Sequence, residues 1–362
     1  MKFVCYSEWS QLPDSANVLF AQSEKDSLFF SRQWFENVTT TLDDDQTLLL
    51  ACVVSNEQDG IAANAVTETS VLAILPLINS DGHTLCSLKH RYTTHYSLLL
   101  ANVQEHTIQQ VLTCLVQGLS QLPCEALLLE PVAAEDSTIV DLQKIMCANG
   151  FSCEQLFRHY NWIYRLQGLS YADYIAARPA RLRNTIARKQ RKLAREHGYD
   201  IRLYAGKDVP AAMADYYAVY TASWKANEQF TEFFDGVVQS CSEPDMSGQG
   251  WSRLAVLYVN AKPVAAQLWF VLHNKANIFR LAYDEKWKAY SPGSILTRFL
   301  MEYVIDTDNV TEIDFLTGND AYKQDWMSER RDRVALSCVK NDRPASWYAP
   351  FIALMKGILN RR

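Results

Sequence analysis

Residues Leu254–Asp284 read LAVLYVNAKPVAAQLWFVLHNKANIFRLAYD, and this stretch decides the fold. Leu254–Val259 is an apolar run bounded by the turn residues Asn260, Ala261 and Lys262. Val264–Leu272 returns, His273, Asn274 and Lys275 turn again, and Ile278–Tyr283 is a third run. Connections this short join only antiparallel neighbours, because a parallel pair needs a long crossover. The spacing therefore predicts a three-stranded antiparallel meander.

Downstream, Asp284–Ser291 reads as a loop, and Pro292-Gly293-Ser294 opens a helix running to about Ile305. Pro292 presets the backbone of a first helical turn, where its missing N–H costs nothing. A helix start exposes unpaired N–H groups and a partial positive charge, which suits a pyrophosphate. Gly293 lets the backbone approach such a group with no Cβ in the way, and Ser294 adds a hydroxyl. Glu312–Leu316 is a further strand, and Leu336–Val339 another.

Upstream, residues 178–195 hold Arg178, Arg181, Arg183, Arg188, Lys189, Arg191, Lys192 and Arg195, with a narrow apolar stripe of Leu182, Ile186 and Leu193. This is an amphipathic basic helix ended by Gly198. It is a solvated face, a seat for a phosphate or an acidic carrier, or a membrane or RNA contact. Ala211–Ala226 is a helix with Met213, Tyr217, Tyr220 and Trp224 roughly on one side, and Ser242–Gly250 is a polar loop.

The first half alternates strand and helix. Thr47–Val54 and Val71–Ile78 are buried strands, and polar Ser55–Gly60 begins the loop between them. Ile108–Leu122 is a helix, Ala126–Leu129 a strand, and Ile139–Asn149 a helix ended by Gly150. Alternation of this kind is an α/β (α+β) pattern, and 362 residues fit two domains, 1–165 and 166–362.

The formal charge of -6 gives no global attraction to nucleic acid or anionic membrane, and no DNA partner is expected. No window is apolar for long enough to span a bilayer. Met1–Ser10 lacks a basic start followed by an apolar run, so no signal peptide is expected. The nine cysteines contain no C-x-x-C pair, and no histidine stands at ligand spacing from a carboxylate or cysteine, so no metal is expected. Reduced, buried cysteines in a cytoplasmic protein are the expectation.

A meander, a Pro-Gly-Ser loop, a helix and a strand, in that order, resemble the core of the GNAT acyltransferases. The resemblance sharpens at Ser223–Lys225 (SWK), Lys262–Leu268 (KPVAAQL), Ala282–Asp284 (AYD), Tyr290–Leu296 (YSPGSIL), Asp314–Asp320 (DFLTGND) and Tyr322–Trp326 (YKQDW). Over about 170–335 these pieces resemble the FemAB-like branch, including acetyltransferases of cellulose and exopolysaccharide synthesis (CelD-like). The first half matches more weakly, through Leu75-Pro76-Leu77 and Tyr92–Ser97.

The resemblance implies two tandem GNAT-like domains with mixed, mostly antiparallel sheets, the first of them degenerate. It implies acyl-CoA, acetyl-CoA above all, as co-substrate, held at Tyr290, Ser291, Gly293, Ser294 and Ile295. The usual glycine-rich phosphate loop is reduced to Gly293 after Lys288, Ala289 and Tyr290. That departure leaves a carrier protein or an aminoacyl-tRNA open as the donor.

Acyl transfer needs a base, an oxyanion donor and an acid for the leaving thiolate. Asp284, closing the third strand, is the candidate base, or else a loop cap. Asp314, among apolar neighbours, is a second catalytic candidate, or else a structural partner of Lys323. Tyr322 is the candidate acid, or a packing tyrosine. Gln267, in an apolar strand, binds the acceptor or satisfies a core polar group. Trp224, Lys225 and Lys323 complete the substrate-binding candidates, with core packing the alternative for Trp224 and Lys225. Trp326 is assigned to the core. The expected activity is acyl transfer to an amino or hydroxyl group of a small molecule, sugar or cell-envelope precursor. The alternatives are aminoacyl-tRNA-dependent transfer and a non-catalytic binding module of polysaccharide synthesis.

Overall fold

The computed structural model describes residues 1–55, 70–225, 229–244 and 250–341. Most of the expected loop at 55–60, part of the one at 242–250, and Ala226 lie outside these residues. The chain divides into two compact units, Met1–Tyr160 with the residues from Arg331 onward, and Asn161–Arg330.

The first unit begins with β1 (Lys2–Tyr6), α1 (Ser15–Ser23), α2 (Arg32–Thr39), β2 (Thr47–Ser55) and β3 (Ser70–Asn79). It continues with β4 (Thr84–Ser87), β5 (Leu99–Leu100), α3 (Glu105–Gln121), β6 (Ala126–Ala133) and α4 (Ser137–Ala148). Strand β7 (Phe151–Arg165) gives its residues up to Tyr160 to this unit and the rest to the second. The apolar runs of β2 and β3 pair with each other antiparallel, with α1 packed on β3 and α3 on β2, which is why Leu50–Val54 are almost wholly buried. Helix α3 buries Val111, Leu112, Leu115, Val116 and Leu119, the face that its spacing predicts.

The second unit holds α5 (Tyr171–Ala176), α6 (Ala180–Glu196), β8 (Asp200–Ala205), α7 (Val209–Thr221) and α8 (Thr231–Ser242). Then follow the meander β9 (Ser252–Val259), β10 (Lys262–Leu272) and β11 (Lys275–Tyr283), then α9 (Pro292–Asp306), β12 (Glu312–Thr317) and α10 (Lys323–Trp326). Asn260 and Ala261, and His273 and Asn274, all have positive φ, the form of two-residue turn whose twist matches antiparallel strands. The sheet order is β7-β12-β11-β10-β9-β8, with β11 and β12 its parallel pair. Gln267 reaches α9, whereas Arg280, opposite Leu268, lies against α7 and α8. Successive strand residues point to opposite faces, so α9 covers one face and α7 with α8 the other. The basic helix α6 buries Ile186 and Leu193 in the same core as Leu296, Leu300 and Met301 of α9. Expected loop residues Glu285–Tyr290 form a short 3-10 helix.

The last described strand, β13 (Glu329–Lys340), is longer than the expected Leu336–Val339 and pairs antiparallel with β6. Its residues from Arg331 on therefore belong with the first unit, not with a domain 166–362. It also brings Cys338 beside Cys153 of β7, with Cα atoms 4.1 Å apart and the sulfurs joined. That disulfide corrects the expectation that all cysteines are reduced. No described helix is long and apolar enough to cross a membrane.

Candidate functional site

The parallel ladder between β11 and β12 runs from Lys275↔Glu312 to Asn277↔Asp314 and stops. Beyond it, Ile278–Tyr283 and Phe315–Thr317 continue without pairing each other, so the sheet opens at the C-terminal ends of its parallel strands. Such an opening is where α/β sheets take ligands.

Two bulges shape the opening. Trp269 pairs with Ile278 but Leu268 with Arg280, leaving Phe279 as an extra residue. The bulge puts neighbours Phe279 and Arg280 on one face, and both reach Phe234 of α8: ring centroids at 5.9 Å for Phe279, and the Arg280 guanidinium 5.7 Å from the ring centre. In β12 the register slips between Asp314 and Thr317, and Leu316 has φ of 52°. The Asp314 carboxylate holds this kink, accepting from the Leu316 N–H at 2.6 Å and from Asn161 Nδ2 at 2.5 Å.

The crossover from β11 to β12 carries the expected cofactor residues. Ser291, the N-cap of α9, is left-handed (φ 53°, ψ 50°) and makes no side-chain cap bond. Ser294 and Ile295 donate their N–H groups back to the Ser291 carbonyl at 3.1 and 3.2 Å. A Cβ on Gly293 would stand 3.3 Å from Cδ1 of Tyr283, so that place in the first turn suits glycine. The Tyr290 hydroxyl donates to Glu196 and meets His197 Nε2, both at 2.9 Å, and Lys192 lies 4.8 Å from its ring centre. The end of the basic helix thus packs on the loop before α9, where Lys189 also donates to the Ala289 carbonyl at 2.5 Å.

The other candidates divide. Asp284 caps the 3-10 helix, accepting from the Lys286 N–H at 2.9 Å. Gln267 is fully buried and serves protein groups: it donates to the Gly293 carbonyl and Thr297 Oγ1, and accepts from Trp269 Nε1. Lys323 is buried and donates to the carbonyls of Phe315 (3.0 Å) and Thr317 (2.6 Å), with Asp320 at 3.9 Å. It does not form the expected pair with Asp314, which is turned to Asn161. Burial lowers the Lys323 pKa, against the pull of Asp320 and Asp314. Tyr322 is 44% exposed, edge-on to Phe315, and its phenol pKa is raised by burial and by Asp320. Trp224 is 51% exposed and lies over Tyr283 at 4.6 Å, while Lys225 donates to the Leu281 carbonyl at 2.5 Å. Trp326 is core, as expected.

Sequence reading misses Phe279, Arg280 and Asn161. The one available signal for the first two is a slip in alternation, the adjacent apolar pair Ile278-Phe279 inside a strand.

Residues 180–324 match the family model described as acetyltransferase (GNAT) domain. No curated protein matches the sequence. Among solved structures, FemX is similar at 10% identity over 94% of this chain and 98% of its own, with a TM-score of 0.62. A tandem GNAT protein from the clavulanic acid biosynthesis pathway is similar at 10% identity, over 95% and 99%, with a TM-score of 0.50. The C-terminal domain of a putative lysylphosphatidylglycerol synthetase from Agrobacterium fabrum gives 11% identity, 85% and 88%, and 0.50. At these identities the likeness is one of fold.

Proposed function

We propose, on the premise that this chain is a GNAT superfamily protein of FemAB-like fold, that it moves an acyl group from coenzyme A to an amine or hydroxyl. The acceptor is a small molecule, a sugar or a cell-envelope precursor. The observation that carries the reading is the opening between β11 and β12 after Asn277↔Asp314, with the start of α9 in the crossover. An acyl thioester laid there supplies the electrophilic carbonyl. Its phosphates lie at the helix start against the Gly293 backbone and the Ser291 and Ser294 hydroxyls, with Ile295 and Tyr290 beside them, since the Ser294 and Ile295 N–H groups already bond the Ser291 carbonyl.

The bulge at Phe279 frees backbone from the ladder for the developing oxyanion. Tyr322, partly exposed at the edge of the Phe315 ring, is the proposed leaving-group acid; its raised pKa keeps it protonated at neutral pH but makes it a weak acid. Asp284 takes the acceptor proton through the carboxylate oxygen not bonded to Lys286. The acyl-CoA reading places the protein in the cytoplasm.

Thermal unfolding with coenzyme A, acetyl-CoA and a long-chain acyl-CoA tests this. A ligand at about 100 times its Kd stabilises by about 2.7 kcal/mol, several degrees of Tm. The shift should vanish in Gly293→Trp. No shift with any of the three sinks the coenzyme A reading. The second reading, aminoacyl-tRNA as donor, is favoured by the basic helix lying against the loop 285–290, and a shift with charged tRNA alone would select it.

A further inference from the structure

Helix α6 sets five arginines and two lysines against one acid, Glu196, in a chain whose formal charge is -6. Its inward side is settled by the buried Ile186 and Leu193. Arg181, Arg188, Arg191 and Arg195 fall on the opposite side at helical spacing, and all four are exposed. They form a basic stripe about 21 Å long.

Little in the protein neutralises this stripe. Asp325 meets Arg181 at 3.0 Å and Glu196 meets Arg195 at 2.9 Å, but the two arginine side chains stay 80% and 75% exposed, where such pairs are weak. Arg188 and Arg191 make no ion pair among the described residues, and Arg191 donates only to the Ala187 carbonyl of its own helix.

The stripe lies beside the end of the opening assigned to the acyl donor. Lys189 of the same helix donates to the Ala289 carbonyl, and Lys192 lies over the Tyr290 ring, just before the start of α9. That start has few groups left for phosphate, since the Ser294 and Ile295 N–H groups bond the Ser291 carbonyl. The Gly293 backbone and the Ser291 and Ser294 hydroxyls suit the one phosphate that a pantetheine arm keeps, whether it hangs on a nucleotide or on a protein.

We propose that the outward side of α6 docks an acidic carrier protein, which brings the acyl group to the opening on a phosphopantetheine arm. Acyl-CoA ends in the same arm and enters the same opening without that contact. The inference rests on the acyl-thioester reading and names a macromolecular partner for that site. The chemistry is unchanged: the acyl carbon–sulfur bond breaks and a carbon–nitrogen or carbon–oxygen bond forms. The acceptor proton passes to the base, and the thiolate of the arm takes a proton. Carboxylates along one helix of a carrier complement arginines along one side of α6, and such pairing speeds encounter and fixes orientation. RNA is the less suited anion. Its unpaired bases are held by stacking on rings, whereas the exposed uncharged residues of α6 are Asn184 and Ala194.

The test titrates the full chain into a fluorescently labelled, acetyl-loaded acidic acyl carrier protein, with bulk tRNA as the rival probe. Thermal unfolding with acetyl-CoA is measured in parallel. The carrier should bind in the micromolar range, and binding should weaken about tenfold or more between about 0.05 M and about 0.3 M salt. The double variant Arg188→Glu with Arg191→Glu should lose binding about tenfold or more, while keeping the acetyl-CoA shift of the native chain. Excess acetyl-CoA should displace the loaded carrier but not the carrier stripped of its arm. No carrier binding, or binding unchanged by the charge reversal, overturns the proposal. So does tRNA that binds more tightly than the carrier and is lost in the same variant. An acetyl-CoA shift without carrier binding sinks the partner and leaves the coenzyme A reading standing. Charge-dependent carrier binding without an acetyl-CoA shift supports the partner and counts against free coenzyme A as donor.

Discussion

Gln267 donates its side-chain amide to the Gly293 carbonyl at 2.9 Å, tying the middle of β10 to the first turn of α9. The same group reaches Thr297 Oγ1 at 2.8 Å, and its oxygen accepts from Trp269 Nε1 at 3.0 Å. A buried amide is stable only with such partners. The one side chain thus fixes where the helix starts relative to the strand. Gln267→Leu leaves the Trp269 N–H without this acceptor inside the core. It should cost about 3 kcal/mol, read as a lower urea midpoint at unchanged slope. Affinity for acyl-CoA should fall with it.

Ser291 holds a left-handed conformation with no side-chain bond to repay it. Such a conformation costs an L-residue about 1 kcal/mol, partly offset by the extra chain entropy that glycine loses on folding. Ser291→Gly should therefore raise stability by about 0.5 kcal/mol. A fall instead would mean that the hydroxyl contributes more to the fold than its geometry indicates.

Arg253 and Asp308 form a buried, two-pronged ion pair, Nε to Oδ2 at 3.1 Å and Nη2 to Oδ1 at 3.0 Å, with side chains 4% and 6% exposed. Removing one charge strands the other. Asp308→Asn should destabilise by about 3–5 kcal/mol, and the double change Arg253→Met with Asp308→Leu should recover much of that. A double variant whose loss equals the sum of the two single losses would show that the pair is not coupled.

Glu130 lies between Lys89, at 3.1 Å, and Arg158. Burial alone pushes its carboxyl up, but the two cations outweigh burial and hold it below the ordinary value of 4.5. Between the lowered folded value and that of the unfolded chain, the unfolded state binds more protons. The contribution is therefore complete above the unfolded value and is lost as pH falls through the folded one. Urea titrations from about pH 7 to about pH 3 should show a shallower acid loss in Glu130→Gln than in the native chain. An equally steep loss would remove Glu130 from the acid response.

The meander, its two turns and the start of α9 are legible because they rest on neighbours in the chain: apolar runs, short polar connections, a proline in a first helical turn. Asp284 illustrates the limit. Its place at the end of a strand is plain, yet only the bond to the Lys286 N–H shows that part of its carboxylate is engaged as a cap. Asp314 was expected to pair with Lys323 if structural; it holds Asn161, 153 positions away, because the β12 kink turns it there. The disulfide partners are 185 apart.

The sequence by itself determined the run from the meander through α9 to β12, the helix start at Pro292, and the basic helix, but not β8 or α8, since turn chemistry and apolar period act over a few residues. Only the tertiary structure decided where the β11–β12 ladder stops, that Phe279 bulges to carry Arg280 to the Tyr220 and Phe234 rings, and that β13 returns to β6. Those outcomes depend on strand register, which is set by partners far away in the chain, and a one-residue slip moves a side chain to the opposite face.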